Sequence, residues 1–309
     1  MKRSQFLKTG AALAAGVLAA PELTFADAGK KKPLRFAHIT DIHVQPGIIP
    51  ETGMAKALHH VQQSPYKPSF IINTGDSVMD TLKTDRAATQ QQWNLFTGIL
   101  AKENSLPIHH AIGNHDVWGW FIKENRPESD PLYGKEWVKQ ALHLPERFYR
   151  FDKGNWTFVV LDSTQNNPAG GYIAYIDEVQ MNWLKKTLAE IPKEQFICIV
   201  SHIPILSVCA GLFFGKNEPN GDLKIQRNLM HTDFFVLKEL FKSHANIKCC
   251  ISGHIHLQDE IEYLGIKYYC NGAISGNWWK GAYQDFAPAY AIMELFPDGS
   301  SRRTMVQYG

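Results

Sequence analysis

Five short motifs of acidic, imidazole and amide side chains occur within the first 256 residues. In chain order they are Asp41-Ile42-His43, Gly75-Asp76, Gly113-Asn114-His115-Asp116, Ser201-His202 and Gly253-His254-Ile255-His256. Carboxylate, imidazole and amide oxygen together suit borderline divalent ions such as manganese, iron, zinc or cobalt, and the motifs offer no thiolate. They supply more ligands than one tetrahedral ion needs, and a carboxylate can bridge two ions, as in two-metal phosphoryl chemistry. We therefore expect two divalent transition-metal ions.

A glycine stands directly before a candidate ligand in three of these motifs. Gly75, Gly113 and Gly253 hold positions where a sharp turn needs either a positive φ or a close approach of backbones, which glycine permits at low cost. The pattern predicts tight turns that aim the side chains that follow.

Apolar runs typical of β-strands precede the motifs. Strands are predicted at residues 34–40, 70–74, 108–112, 156–161, 196–201, 247–252, 261–264, 266–270 and 290–296, and helices at 54–63, 89–102, 135–143, 178–188 and 232–244. Strands and helices alternate at first, and strand then follows strand, which predicts an α/β domain with a mixed sheet. Because ligands of open α/β sheets gather beyond the carboxyl ends of the strands, we expect the motifs to converge.

Two stretches, residues 118–134 and 206–228, resist assignment to helix or strand. Both follow a candidate ligand motif, and loops of that length are uncommon unless they have a function. Both are therefore candidates to frame a substrate pocket.

At these motifs the sequence resembles the calcineurin-like metallophosphoesterase superfamily, whose pattern is Asp-x-His, Gly-Asp, Gly-Asn-His-Asp/Glu, His and Gly-His-x-His. All of these elements are present within residues 36–256, and residues 271–279 resemble the strand and loop that follow in bacterial members. Among subgroups, the chain is most similar to the class III cyclic nucleotide phosphodiesterases. The resemblance implies a four-layer αββα sandwich, in which two mixed β-sheets are flanked by helices.

The resemblance also implies a ligand set. It assigns Asp41, His43, Asp76 and His256 to the first metal ion, and Asp76, Asn114, His202 and His254 to the second. Asp76 and a hydroxide would bridge the two ions, the hydroxide would attack phosphorus, and His115 would protonate the leaving oxygen as a general acid. Asp76 and His115 are thus the predicted catalytic residues.

Several other residues near the motifs are candidates for supporting roles. Asp116 is a candidate to orient His115 or backbone groups, with turn capping as an equal alternative. Asp162 is a candidate to hold the metal ligands in place without binding metal itself. Trp278 and Trp279 are candidates to line a pocket or stack on a base, with core packing favoured for at least one. Asp80 falls one position outside the spacing of many family members and is assigned no direct role.

These motifs and the resemblance predict a dinuclear metal-dependent phosphoesterase that hydrolyses phosphodiesters, with cyclic nucleotides or glycerophosphodiesters as candidate substrates. A phosphomonoesterase or nucleotidase on the same metal core is the alternative. A non-catalytic metal-binding scaffold is a remote second alternative, because fold alone does not fix function. The complete ligand set argues against it.

The balance of charged residues limits the classes of partner that the chain can attract. Lys and Arg number 32 against 30 for Asp and Glu, so the net charge of +2 provides no long-range attraction for nucleic acid polymers or anionic membranes. We therefore expect a small-molecule phosphoester substrate. The five cysteines lack the spacing of a zinc site and are predicted to be buried free thiols.

The N-terminus has the layout of an export signal. Lys2, Arg3 and Lys8 precede an apolar run at residues 10–20, and small residues flank candidate cleavage sites at 24–28. We expect residues 1–28 to be a signal peptide and residues 29–309 to form one catalytic domain in the periplasm or outside the cell. Export would use the Sec route or a degenerate twin-arginine signal, and no stable membrane span is expected, because roughly a dozen apolar residues cannot cross a bilayer.

Overall fold

The elements of the fold are taken from a computed structural model, which describes residues 32–168 and 170–309, so the predicted signal peptide lies outside the described residues. In chain order they are β1 (Leu34–Ile39), α1 (Ile48–Gln63), β2 (Ile71–Asn73), α2 (Arg86–Glu103), β3 (Ile108–His110), α3 (Glu136–Ala141), β4 (Tyr149–Lys153), β5 (Trp156–Val160), β6 (Thr164–Asn166), β7 (Tyr172–Ala174), α4 (Glu178–Glu190), β8 (Phe196–Val200), α5 (Val208–Phe214), β9 (Lys216–Asn217), β10 (Leu223–Lys224), α6 (Phe234–Lys242), β11 (Ile247–Ser252), β12 (Gln258–Tyr263), β13 (Ile266–Asn271), β14 (Ala289–Leu295) and β15 (Ser301–Gln307).

Two mixed β-sheets organise these elements. The first sheet has the order β15-β14-β1-β2-β3, with β1, β2 and β3 parallel and the other two strands antiparallel to their neighbours. The second has the order β12-β13-β11-β8-β5-β4, with antiparallel strands only at its edges. The predicted fold class, two mixed sheets flanked by helices, is confirmed.

Apolar layers on both faces of each sheet produce the four-layer arrangement. In β1, Phe36 packs into the layer between the sheets, whereas Ala37 and Ile39 pack toward the helices of the first sheet. This alternation follows from the two-residue period of a strand. On the outer face of the second sheet, α4 contributes Leu184 and Leu188, one turn apart, and each buried Leu side chain stabilises the fold by roughly 1.5–3 kcal/mol.

All five cysteines are free and buried, as predicted. No helix in the described part of the chain is long and apolar enough to cross a membrane.

The sequence prediction was wrong at several elements. Helix α1 begins at Ile48, six residues before the predicted start at 54. Strand β4 was missed although Tyr149 and Phe151 alternate with Arg150 and Asp152, because two apolar residues are too short a pattern to mark a strand. The unassigned stretch 206–228 contains α5 and the β9–β10 hairpin, where Ser207 caps α5 by accepting a hydrogen bond from the backbone nitrogen of Ala210.

Candidate metal centre

The predicted ligands follow the carboxyl ends of parallel strands in both sheets. In the first sheet, β1 leads to Asp41 and His43, β2 leads to Asp76, and β3 leads to Asn114. In the second sheet, β8 leads to His202, and β11 leads to His254 and His256. Backbone hydrogen bonds join the loops: Asp41 donates to the carbonyl of Gly75 at 3.0 Å, and Gly253 donates to that of His202 at 3.0 Å. The centre is thus assembled from loops that are bonded to one another.

The three glycines before candidate ligands occupy crowded turns. Gly75 has a φ of +108°, and a Cβ atom there would lie 2.3 Å from the backbone nitrogen of Gly113. A Cβ at Gly113 would lie 2.1 Å from the nitrogen of Asp76, and one at Gly253 would lie 2.0 Å from Thr40 Oγ1. The predicted need for positive φ or close approach is confirmed, with positive φ at Gly75 and close approach at all three.

Several candidate ligands themselves have a left-handed backbone. They are Asp41 (φ 52°), His43 (φ 49°), Asp76 (φ 51°), His254 (φ 73°) and His256 (φ 58°). Such conformations cost on the order of 1–3 kcal/mol each for residues other than glycine, and they persist where the surroundings hold them. Their concentration at the predicted ligands is a second, independent mark of a functional site, and sequence patterns do not show it.

Asp41, His43 and His256 form the first group of candidate ligands. His43 Nε2 and His256 Nε2 lie 3.0 Å apart, and Asp41 Oδ1 lies 3.4 Å from His256 Nε2 and 3.9 Å from His43 Nε2. Asp41 Oδ1 is buried and has no hydrogen-bond partner among the described residues. Because buried polar atoms are normally paired, converging imidazole nitrogens around an orphaned carboxylate oxygen fit a bound cation.

Asp76, His202, His254 and Asn114 form the second group. His202 Nε2 lies 3.3 Å from Asp76 Oδ1, 3.0 Å from Asn114 Oδ1 and 3.2 Å from His254 Nδ1. The other carboxylate oxygen of Asp76, Oδ2, lies 3.6 Å from His43 Nε2 of the first group. One carboxylate therefore faces both groups, with a different oxygen toward each.

Backbone carbonyls fix the tautomers of three candidate ligands. His256 Nδ1 donates to the carbonyl of Gly276 at 2.6 Å, His202 Nδ1 to that of Thr74 at 3.0 Å, and His254 Nε2 to that of Asn228 at 2.8 Å. In each ring the opposite nitrogen faces the centre and is the atom that could bind a metal ion once it carries no proton. Such outer hydrogen bonds are a regular feature of metal-binding histidines.

Burial and mutual charge set the protonation of the centre. Burial lowers the pKa of His43 and of His254 to about 3, which keeps both rings in the neutral, metal-binding form. Burial would raise the pKa of Asp41, but the facing imidazoles outweigh it and lower that pKa to about 2. For His202 burial is outweighed by Asp76, which raises its pKa to about 9. A cation that bound there would displace this proton.

His115 and Asp116 differ in what they contact. The His115 ring lies edge-on to that of His43, with 4.8 Å between centroids, and forms part of a cavity wall. Its Nδ1 is 3.9 Å from Asp80 Oδ1, a residue to which the sequence assigns no role. The Asp116 carboxylate accepts hydrogen bonds from the backbone nitrogens of Ser77 (2.8 Å) and Gly113 (2.9 Å), which fits both the orientation of backbone groups and turn capping.

Asp162 lies in a salt-bridge network away from the candidate ligands. Its carboxylate accepts hydrogen bonds from Lys135 Nζ at 2.5 Å and Arg147 Nη1 at 2.8 Å, and its backbone nitrogen donates to Gln180. These contacts join Lys135, the residue before helix α3, to Gln180 on helix α4. Within the described residues, no hydrogen bond links Asp162 to a candidate ligand.

Sequence reasoning missed several residues that hold the ligands. Thr40 Oγ1 donates to Asp41 Oδ2 at 2.7 Å, and Ser275 Oγ donates to the carbonyl of Asp41 at 2.8 Å. Trp278 and Trp279, which the sequence did single out, also contact ligands: the Trp278 ring lies over His256, with 4.3 Å between centroids, whereas Trp279 Nε1 donates to the carbonyl of His43 at 3.0 Å. A serine or threonine carries no signal of such a role in one sequence.

A cavity of about 810 Å³, the inner chamber, opens beside Asn114 and His115. Its walls include Phe121 and Arg227, which come from the two unassigned stretches, 118–134 and 206–228. An outer chamber of about 870 Å³ shares Lys83 and Phe121 with it and also draws on the 118–134 stretch. Both stretches therefore line the space next to the candidate metal centre.

Comparisons with known proteins agree with this arrangement. Residues 34–258 match the family Calcineurin-like phosphoesterase. The chain is 24% identical over 291 residues to a 3',5'-cyclic adenosine monophosphate phosphodiesterase, CpdA, of Haemophilus influenzae, covering 90% of this chain and 92% of that protein. It is 23% identical over 283 residues to the 3',5'-cyclic-nucleotide phosphodiesterase alr5338 of a Nostoc species, covering 88% and 91%.

Solved structures share the fold. A dimetal phosphatase from Danio rerio superposes with a TM-score of 0.58 at 17% identity, covering 90% of this chain and 100% of that one. GAP50 of Plasmodium, an anchor in the inner membrane complex, superposes with a TM-score of 0.53 at 18% identity, covering 90% and 85%. At such identities the likeness shows the fold alone.

Proposed function

The chain belongs to the calcineurin-like phosphoesterase family and is a metal-dependent phosphoesterase, and from this premise we propose that it hydrolyses phosphodiesters at a centre of two divalent ions. The observation that carries the proposal is Asp76, whose two carboxylate oxygens face two separate groups of imidazoles at 3.3 Å and 3.6 Å. A carboxylate between two such groups is suited to bridge a pair of ions.

The ligand assignment follows the two groups. Asp41, His43, Asp76 and His256 would hold one ion, and Asp76, Asn114, His202 and His254 the other. Manganese, iron, zinc and cobalt all suit this oxygen and nitrogen set. When bound, such ions polarise phosphoryl oxygens and lower the pKa of coordinated water toward roughly 7, which supplies a nucleophile at neutral pH.

His115 is proposed as the general acid. Its backbone nitrogen donates to Asp76 Oδ1 at 2.8 Å, so the ring is placed relative to the shared carboxylate. The side chain is 27% exposed and lines the inner chamber, where a leaving oxygen would depart. A positioned imidazole contributes typically ~10²- to 10⁴-fold to the rate by protonating the leaving group.

The size of the cavity and the relatives support a diester. The inner chamber of about 810 Å³ lies near the upper end of ordinary ligand sites and accommodates substituents on both sides of a phosphate. The relatives from Haemophilus influenzae and Nostoc are both named as cyclic-nucleotide phosphodiesterases. Cyclic nucleotides and glycerophosphodiesters are therefore the first substrates to test.

Turnover of three substrates with added manganese tests the proposal. We expect the purified protein to bind two metal ions per chain and to hydrolyse bis(p-nitrophenyl) phosphate and 3',5'-cyclic AMP in preference to p-nitrophenyl phosphate. A preference for the monoester would favour the phosphomonoesterase alternative. Bound metal without any hydrolysis would support the non-catalytic scaffold.

Replacement of His115 tests the proposed acid. We expect His115→Ala to lower kcat by about 10²- to 10⁴-fold while metal content stays unchanged. His59→Ala is the matched control, because His59 lies on α1 and pairs with Glu103 outside the cavity. Equal turnover of the two variants would remove His115 from the mechanism.

We also propose that residues 1–28 direct export. The support is the basic start, the apolar run and the small residues at 24–28. A fusion of residues 1–28 to a reporter that is active only outside the cytoplasm should be active, and replacement of Leu18 by Arg should abolish that activity. Full activity of the L18R fusion would contradict the proposal.

A further inference from the structure

The cavity beside the candidate metal centre has an excess of positive charge. The inner chamber is lined by Lys83, Lys224 and Arg227, against one acidic residue, Asp80. The outer chamber adds Lys123 and Arg126, with Glu128 as its acidic residue. The whole chain is nearly neutral, with 32 basic and 30 acidic residues, so this excess is a local property of the cavity.

The lysines of the inner chamber are only weakly neutralised. Lys83 Nζ lies 3.8 Å from Asp80 Oδ2, and Lys224 Nζ lies 3.8 Å from Glu218 Oε1. The lysine side chains are 73% and 70% exposed, and pairs of this kind contribute little. The inner chamber therefore retains capacity to bind an anion.

The segment that carries Arg227 is anchored at the centre itself. The carbonyl of Asn228 accepts the hydrogen bond from His254 Nε2 at 2.8 Å, and the carbonyl of Arg227 accepts one from the backbone nitrogen of Ala174 at 2.9 Å. Arg227 is thus one residue from a direct contact with a candidate metal ligand. Arg227 lines the chamber in which the scissile phosphate would be bound.

An aromatic surface begins at the same ligand. The Tyr172 ring lies edge-on to His254 with 6.1 Å between centroids, and nearly parallel to Phe121 with 6.3 Å between centroids and an angle of 16°. Both rings line the inner chamber. Aromatic faces of this kind accept flat rings such as nucleobases by stacking.

We propose that, among phosphodiesters, the enzyme prefers one that carries a second anionic group and an aromatic arm. The second anion would pair with Lys83, Lys224 and Arg227, and the aromatic arm would contact Phe121 and Tyr172. Charge-assisted hydrogen bonds from Lys and Arg are the strong class for phosphate and carboxylate recognition. A 3',5'-cyclic nucleotide has a single phosphate and leaves these cations unpaired, whereas a linear dinucleotide with a 5'-phosphate supplies both groups. The inference rests on the proposed phosphodiesterase function.

A pair of dinucleotides that differ by one phosphate tests the inference. We expect kcat/KM for 5'-phosphorylated diadenosine (pApA) to exceed that for ApA by at least about tenfold, since one phosphate would gain charge-assisted hydrogen bonds. In the double variant Lys224→Gln/Arg227→Gln the ratio should fall below about threefold. Lys186→Gln is the matched control, because Lys186 on α4 is 79% exposed and pairs with Glu190 at 4.0 Å, but does not line either chamber. The control should keep the full ratio.

Calorimetric titration of the metal-free protein separates this inference from the proposed function. Tighter binding of pApA than of ApA, lost in the double variant, would support the second-anion site even if no diester were hydrolysed. Hydrolysis of both dinucleotides with a ratio near one in wild type and variant would overturn the inference and leave phosphodiesterase activity standing. An equal loss of the ratio in Lys186→Gln would also overturn it, because the effect would then reflect net charge alone.

Discussion

Replacement of Thr40 by valine tests whether the outer hydrogen bonds of the centre determine metal affinity. Thr40 is buried, and its hydroxyl donates to Asp41 Oδ2 at 2.7 Å, while the backbone nitrogen of His254 donates to the same oxygen at 2.9 Å. These two bonds leave Asp41 Oδ1 as the oxygen that faces His43 and His256. Valine has nearly the same shape as threonine and removes one donor.

The expected loss of metal affinity follows from the type of hydrogen bond that Thr40→Val removes. A hydrogen bond to a charged group is worth about 1.5–3 kcal/mol. The part of this energy that the bond gains when Asp41 binds metal appears in the affinity, so at about 1.4 kcal/mol per tenfold the loss is at most roughly 10- to 150-fold. Mutation of outer partners of metal ligands typically costs about 10- to 100-fold, which is the same range. We therefore expect Thr40→Val to weaken binding of manganese by one to two orders of magnitude.

Titration calorimetry of the metal-free protein measures this affinity directly. The control is Thr97→Val, because Thr97 on α2 loses an equivalent hydroxyl whose bond goes to the carbonyl of Trp93 at 2.9 Å, away from the centre. Circular dichroism of both variants shows whether each remains folded. An affinity of Thr40→Val within threefold of wild type would refute the argument that this bond orients Asp41.

Three further predictions concern stability. Lys135→Met should lower the free energy of unfolding by about 3 kcal/mol in urea denaturation, because it removes one of the buried cations that pair with Asp162; a loss below about 1 kcal/mol would contradict this. Gly75→Ala should lower the free energy of unfolding by about 3 kcal/mol or more in the same measurement, because φ is +108° and the added Cβ would clash with backbone atoms. Gly154→Ala is the control and should lower it less, because Gly154 has a φ of +61° and open space around it. Burial would raise the pKa of Glu294, but two arginines outweigh it and hold that pKa below its ordinary value of 4.5. The ionised Glu294 therefore stabilises the folded state above that pH, and this stabilisation is lost as pH falls. Glu294→Gln should therefore flatten the fall of Tm between about pH 5 and pH 3, and an unchanged slope would exclude this contribution.

The strand-end motifs were predictable because their information is local. Each ligand motif follows an apolar run, and the predicted first strand, residues 34–40, differs by one residue from β1 (Leu34–Ile39). The rule that parallel strands present their carboxyl ends at one edge then brings motifs together that are far apart in sequence. Type and order of the candidate ligands therefore follow from the amino-acid sequence, and so does their convergence within one sheet. That the strand ends of two different sheets meet does not follow from this rule.

The partners of single polar residues were not predictable, because they depend on tertiary distance. Asp162 pairs with Lys135 and Arg147, which are 27 and 15 residues away, and no local pattern marks those pairs. Trp278 and Trp279 are identical neighbours with similar positive φ, yet one lies over His256 and the other packs against Gly53. Their difference arises from the loop that the structure places across the centre.

The two candidate groups each combine ligands from both sheets, and this explains why the layer between the sheets matters to the centre. Asp41, His43 and Asp76 follow strands of the first sheet, whereas His202, His254 and His256 follow strands of the second. The distance between these two sets is set by the packed side chains between the sheets. Because protein interiors are close-packed and transmit strain, a change in that layer alters the spacing of ligands it never touches. Bound ions would in turn join the two sheets, so metal binding stabilises the folded state by mass action. Bound metal would therefore raise the free energy of unfolding, and a substitution in the layer between the sheets would be expected to change metal affinity.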